Sequence, residues 1–363
     1  KVNKILFLPK YTRMGASSRL RTYQYLPLWE KAGYNVVVRP FFTDKYLNEI
    51  YAGRRPGILH ILQCYWRRAW QLFTVGKYDL IFVEKELFPY LPAFAEWFLA
   101  KTKGFIVDYD DAVFHNYDLG KYPGVKRFLP DKIDRTMKMA ELVTVGNSYL
   151  KDRAWAAGSS RIVMMPTVID PNRYLMKIHQ DKPIVSIGWI GSPSTLRYLE
   201  GILPVLEQLK RKFKIILVQV NGKNQVKFSG STEKIPWTEA GEVDAILKMD
   251  IGIMPLPDNP WERGKCAYKL IQYMACGLPV VASPVGMNKE VVQHGINGYL
   301  AKSEEEWIAA LSKLIQDWQL RKSFGENGHQ LVMEKYTLER NFEKMLEMVA
   351  PLNPPSRGDF GAR

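Results

Sequence analysis

The chain has 363 residues, 47% of them hydrophobic, and 51 Lys and Arg against 37 Asp and Glu give it a formal net charge of +14. That length suits two domains of ordinary size, and no apolar run reaches the ~18 to 20 residues of a membrane-spanning helix. The surplus is uneven: residues 1–165 hold 26 basic and 15 acidic residues, +11, and residues 166–363 hold 25 and 22, +3.

The first half alternates short apolar runs with longer amphipathic ones, the pattern of an α/β domain over residues 1–165. Lys4–Pro9 reads as a strand, followed by a loop over 10–18 and a helix from about Arg19 to Ala32. Further strands are expected at Asn35–Arg39, Leu80–Val83, Phe105–Asp108 and Leu142–Val145. The stretch Ile58–Phe73 (ILHILQCYWRRAWQLF) is apolar almost all round and reads as a buried core helix. The alternative is a helix lying in a membrane interface, because Trp66, Trp70 and Phe73 stand beside Arg67 and Arg68. Residues 166–183 are irregular and Pro-containing, as in an interdomain linker. A second α/β domain is expected over 184–336, with strands at Ile184–Ile190, Lys214–Val220, Ile251–Met254 and Val280–Ala282. Gly191-Ser192-Pro193 leads into a helix from about Ser194 to Phe213; a last helix spans about Thr337 to Met348, and a disordered tail is expected over 351–363. Ligands of such doubly wound sheets bind at the carboxyl ends of the strands.

Cys64, Cys266 and Cys276 are odd in number and lack metal-ligand spacing, and the chain opens on a strand with no signal peptide, so a reducing, cytoplasmic setting is expected. The basic first half calls for an anionic partner. Its basic residues are scattered among aromatics with no recognition motif, which points to membrane or lipid phosphate and away from nucleic acid.

Trp261–Ser283 (WERGKCAYKLIQYMACGLPVVAS) reads as a Gly-containing loop, a helix, a Gly-Leu-Pro turn and a buried strand. On that helix Lys265, Lys269 and Gln272 would share one face at i, i+4 and i+7, opposite Ala267, Leu270, Ile271 and Met274. Cations in a first helical turn oppose the helix dipole. They make sense where a diphosphate sits at the helix N-terminus; a solvated lysine face is the plainer explanation.

Met274–Ser283 (MACGLPVVAS) with Val285–Ala301 (VGMNKEVVQHGINGYLA) resembles the nucleotide-sugar half of glycosyltransferase family four. The resemblance implies a GT-B fold, two Rossmann-like doubly wound domains facing a cleft, with the last helix crossing back to the first domain. It also implies retaining transfer from a nucleotide-diphosphate sugar, UDP or GDP, without a metal or other cofactor. Where the family carries two glutamates eight positions apart, this chain has Gly264 and Gln272; it resembles a subset reading Gly-Lys-Cys-x-Tyr-Lys, here Gly264 to Lys269. Carried over on that basis, Arg197 and Lys265 neutralise the donor diphosphate, with Tyr268, Lys269 and Gln272 on the donor side. Gly15, in a loop like the family's glycine loop, also belongs to the donor, and Arg19 to the acceptor.

Gly188-Trp189-Ile190-Gly191-Ser192 ends a strand and opens a helix, so Gly191 and Ser192 offer amides to phosphate; tight packing explains the glycines as well. Asp258 and Asn259 follow the strand Ile251–Met254 and would meet the donor sugar, or form an Asx-Pro turn. Asp108-Tyr109-Asp110-Asp111 has the Asp-x-Asp order that holds a divalent cation in metal-dependent glycosyltransferases of the other fold. Its strand-end place in the first domain, away from the donor signatures, speaks against that metal role. The resemblance to the family-four subset, whose Asp-rich sequences here face the cleft, implies positioning of the reacting groups by Asp108 and Asp110, with Asp111 and His115 toward the acceptor; a helix N-cap is the alternative. Glu84-Lys85-Glu86 ends another strand, with Glu84 an acceptor candidate or part of a solvated loop. Asn147 reads as a helix N-cap. The acceptor expected is a saccharide or lipid-linked saccharide, in surface polysaccharide or glycolipid synthesis, with peripheral membrane contact. A nucleotide-sugar epimerase and a non-catalytic nucleotide-sugar-binding partner are the alternatives.

Overall fold

The computed structural model describes residues 4–221 and 225–350; the tail expected over 351–363 lies outside them. The described residues form two compact units, one made of those up to Thr167 with those from Glu339 onward, the other of Val168–Leu338.

In the first unit β1 (Lys4–Leu8), β2 (Asn35–Val38), β3 (Leu80–Glu84), β4 (Ile106–Tyr109), β5 (Leu142–Val145) and β6 (Ile162–Met164) make one sheet of order β2-β1-β3-β4-β5-β6. Every pairing is parallel. Parallel strands are covered on both faces, which is why β1 and β5 read as unbroken apolar runs. The helix expected over Arg19–Ala32 is broken into Ala16–Arg21, a 3₁₀ turn at Tyr23–Tyr25, and Leu26–Lys31, with Pro27 at the start of the last piece. Asn147 caps the helix Ser148–Ala156, accepting from the Leu150 N–H at 2.9 Å.

In the second unit β7 (Val185–Ile190), β8 (Ile215–Asn221), β9 (Ser231–Pro236), β10 (Ile251–Met254), β11 (Val280–Ala282) and β12 (Gly298–Leu300) form a parallel sheet of order β12-β11-β10-β7-β8-β9. The helix after β7 runs Leu196–Leu209 and buries Leu199, Leu206 and Leu209 with Trp307, Leu311 and Leu314 from the helix Glu304–Gln316. From Val168 on, the segment read as a linker packs within this unit: Lys177 donates to the Leu247 carbonyl at 2.6 Å, and His179 bonds the Gly277 carbonyl at 2.8 Å. The helix Leu338–Val349 contributes Asn341 to the first unit, bonded to the Tyr25 hydroxyl and the Pro166 carbonyl.

One core assignment is corrected. The helix Ile58–Leu72 turns its large apolar residues outward, with Ile58 75%, Trp66 73% and Phe73 83% exposed. Cys64 and Arg68 are the side chains it buries. Among the described residues no helix is long and apolar enough to cross a membrane.

Candidate functional site

In the second unit the loops that follow β7, β10 and β11 lie at the carboxyl ends of those strands. Gly191 ends β7 where space is scarce: a Cβ there would fall 2.3 Å from the Trp189 ring and 2.8 Å from the Thr195 hydroxyl. A Cβ on Gly188 would strike the Met249 side chain, so close packing accounts for both glycines. Ser192 is exposed and its hydroxyl meets that of Ser194 at 2.9 Å. After β11, Gly286 has φ +50°, and a Cβ on it would lie 2.5 Å from the Arg263 carbonyl oxygen, pressing this loop against the short helix Pro260–Arg263.

That helix supplies the anchor. Glu262 is buried and accepts from the Tyr198 hydroxyl at 2.6 Å. Arg197, one residue into the Leu196 helix, lies over the Tyr198 ring and reaches the same Glu262 oxygen at 3.4 Å, with its side chain 67% exposed. Lys265 follows from the Glu262 turn, its ammonium 5.4 Å from the Trp261 ring centre. The shared helical face is corrected here. Ala267 takes the left-handed conformation, φ +51°, and the helix begins at Tyr268, so Lys265 stands in the preceding loop. Lys269 is in the first turn, half-buried, with its ammonium 4.7 Å above the Trp189 ring. Among the described residues no carboxylate pairs with it. Burial, and then the charge of Lys265, bring its pKa down to about 7.

Other donor-side expectations are altered. Gln272 is buried, and its amide donates to the Tyr174 hydroxyl at 3.1 Å; Tyr174 in turn bonds Tyr268. The amide is thus fixed in an internal network and does not face solvent as a ribose ligand would. Asp258 is exposed and accepts from Arg263 at 2.7 Å. Asn259 occupies the N-cap position of Pro260–Arg263 without a side-chain capping bond. Gly264 is the C-cap of that helix.

The first unit holds a dense charged cluster at the carboxyl ends of β1, β3 and β4. Glu84, Lys85 and Glu86, read as solvated or cleft-facing, are buried, at 3%, 6% and 4% exposure. The reason is pairing. Glu86 is held by Lys132, Tyr117 and Lys10. Burial opposes its ionisation, yet Lys10 and Lys132 outweigh that and hold its pKa at about 2. Lys85, in the left-handed region at φ +66°, pairs with Asp110 at 3.0 Å; such backbone strain costs about 1–3 kcal/mol. Ser17, which lies in the loop of Gly15 and Arg19 but is not singled out by the sequence pattern, is the hub: it donates to Asp110 at 2.5 Å, lies 3.2 Å from Glu84 and accepts from Lys85 at 2.9 Å. Burial resists the charge on Asp110, but Lys85 and Arg21 prevail and set it at about 2. Glu84 goes the other way, raised by burial.

Asp108, expected to position the reacting groups, is held by partners within the first unit. Arg21 grips it with two bonds, 2.8 and 2.5 Å, and Thr144 adds a third at 2.6 Å. With Asp108 on Arg21 and Asp110 on Lys85, the Asp-x-Asp carboxylates are neutralised by fixed cations. Asp111 accepts from its neighbour Ala112 N–H at 3.2 Å and caps no helix. His115 bonds Asp118 through Nδ1 and the Tyr149 hydroxyl through Nε2, both at 2.8 Å. Arg19 is buried in the first helix, and Gly15 is needed because a Cβ would meet Tyr11 at 2.5 Å.

Residues 188–317 match the family described as Glycosyl transferases group 1. An uncharacterized glycosyltransferase of Methanocaldococcus jannaschii is 28% identical over 172 residues, 44% of this chain and 43% of that protein, so the chain aligns with less than half of this curated relative. Among solved structures, sucrose-phosphate synthase of Thermosynechococcus elongatus superposes with a TM-score of 0.74 at 14% identity, over 96% of this chain and 99% of the other. The Anabaena protein Alr3699/HepE, in complex with UDP and glucose, gives 0.64 at 16% identity over 96% and 99%. These likenesses show the fold: GT-B, built on two parallel six-stranded α/β sheets.

Proposed function

We propose that the chain is a retaining glycosyltransferase that holds a nucleotide-diphosphate sugar on its second unit and transfers the sugar to a saccharide acceptor, lipid-linked, in surface polysaccharide or glycolipid synthesis at the inner face of the cytoplasmic membrane. The observation that carries the reading is Lys269: an ammonium over Trp189, beside Lys265 and lacking a carboxylate partner among the described residues. A cation so placed is served by an anionic ligand. The segment that matches the group 1 glycosyltransferases, 188–317, contains the whole cluster.

Breaking the sugar–phosphate bond leaves its electron pair on the diphosphate while the anomeric carbon becomes cationic. Lys269, Lys265 and Arg197 meet the developing negative charge, the work a divalent metal does elsewhere, so transfer proceeds without one. The acceptor oxygen bonds to the anomeric carbon on the face the diphosphate leaves, and its proton passes to the departing phosphate oxygen. Asp110, part-exposed beside Ser17, is the first-unit carboxylate that positions the acceptor. The complexes of the Anabaena protein with UDP and with UDP-glucose make a uridine nucleotide the first donor to test.

Thermal shift with UDP-, GDP-, ADP- and TDP-sugars, with and without EDTA, checks this on wild type and Lys265→Ala. One nucleotide class is expected to raise the melting temperature in EDTA, by the equivalent of about 2.7 kcal/mol at a hundredfold excess over Kd. Lys265→Ala is expected to lose the shift. A shift that requires metal and survives Lys265→Ala would move the site to Asp108–Asp111 and overturn the proposal.

A further inference from the structure

The helix Ile58–Leu72 presents Ile58, Leu62, Trp66, Trp70 and Phe73 at steps of four, four, four and three, one stripe of a helix face. At 1.5 Å per residue the helix is about 22 Å long. Its polar side does the opposite of what amphipathic helices on globular proteins do. Arg67 donates to the Pro40 and Phe41 carbonyls at 3.1 and 2.6 Å, Arg68 to the Pro9 carbonyl at 3.2 Å, and Tyr65 to the Pro89 carbonyl at 2.5 Å. Those bonds pin the helix with its apolar stripe toward solvent. A chain of rings, Tyr65 to Phe88 to Phe94, joins it to the helix Phe94–Thr102, whose Phe94, Trp97 and Phe98 are 58%, 55% and 48% exposed. Exposed apolar surface of this extent marks an interaction site.

Charge selects the occupant. No acidic residue occurs between Glu49 and Asp79, while Arg54 and Arg55 stand exposed just ahead of the stripe. Glu96, the one acid on the neighbouring helix, is fully buried and accepts from the Leu87 N–H, and Lys101 and Lys103 are exposed at that helix's end. The surface thus combines tryptophans, aliphatics and cations with no exposed acid on either helix, the composition of a helix that lies in the plane of an anionic bilayer.

We propose that the outward face of Ile58–Leu72, extended by Phe94, Trp97 and Phe98, is a docking surface for membranes that carry anionic lipid. Binding is measured without nucleotide, so this outcome is separate from that of the donor titration. The full chain is sedimented with vesicles of phosphatidylcholine alone and of phosphatidylglycerol and phosphatidylcholine in equal parts. Wild type is expected to partition onto the anionic vesicles and less onto the neutral ones. The double variant Trp66→Glu, Trp70→Glu is expected to lose on the order of tenfold or more in partitioning, with an unchanged melting temperature because both rings are exposed. Arg54→Glu with Arg55→Glu is expected to weaken anionic-vesicle binding alone. Wild type that stays in the supernatant with both vesicle types, or variants that bind as wild type does, would overturn the proposal. So would a soluble dimer that the tryptophan variant splits, since a second copy would then be what covers the face.

Discussion

Replacing Lys269 by methionine is expected to stabilise the unliganded protein while slowing glycosyl transfer by about a hundred- to a thousandfold. Both effects come from one geometry. The ammonium is half-buried, sits near Lys265, and has the Trp189 ring 4.7 Å below it as its recorded contact. Burial of a charge without a counter-charge is unfavourable, and a cation–π contact offsets only part of it. Methionine keeps the length and sets a thioether against the same ring. A gain of about 1 kcal/mol would appear as roughly 2–4 °C in melting temperature. The lost contact to the leaving diphosphate removes about 2.7–4 kcal/mol of transition-state stabilisation. Such opposed changes are characteristic of groups held in a strained, ligand-ready state. Melting curves and initial rates with the donor found by thermal shift check both halves. A variant both slower and less stable would make Lys269 a packing residue.

Arg21→Met is expected to lower stability by about 3–5 kcal/mol, the usual consequence of removing one partner from a buried ion pair. Asp108 would then keep Thr144 alone among the partners recorded for its carboxylate, and the Met165 carbonyl would lose its 2.6 Å donor. Asp108→Leu added to Arg21→Met is expected to recover much of the loss, because the residual charge goes with it. Urea denaturation of the two single variants and the pair measures the coupling. The donor-induced thermal shift should survive in Arg21→Met, since the lysine cluster belongs to the other unit. Loss of that shift would show that Arg21 and Asp108 serve the donor after all.

The sequence pattern was legible where burial imposed it. The nine strands expected from apolar runs are β1 to β5, β7, β8, β10 and β11, and all are present. The three that were not expected, β6, β9 and β12, are sheet edges. Edge strands are short or polar because one side has no partner: β6 and β12 have three residues each, and β9 reads STEKIP. Charge was harder to place than apolarity. Glu84, Lys85 and Glu86 look like surface residues because nothing in a linear pattern shows that Lys132, from 46 positions on, will reach Glu86. The same limit hid Glu262 as the residue that ties Arg197 and Tyr198 to the loop of Lys265. Arg67 and Arg68 reversed a helix assignment: by bonding backbone carbonyls inward they left the apolar stripe outside. Lys265 was misplaced by a single residue's conformation, the left-handed turn at Ala267.

Protonation gives the most direct test of the donor site. In the free protein Lys269 titrates near 7, below its ordinary 10.5, so at about pH 8 it is roughly nine-tenths neutral. The folded state then binds fewer protons than the unfolded one. The group destabilises the fold fully below about pH 7, and that cost disappears as pH rises toward 10.5. A diphosphate beside it favours the charged form and restores its affinity for a proton. Calorimetric titration of the nucleoside diphosphate with the largest thermal shift, at about pH 8 in buffers of different ionisation enthalpy, counts the protons taken up. Uptake approaching one proton per nucleotide is the expected result; binding with none would contradict the placement of the diphosphate on Lys269.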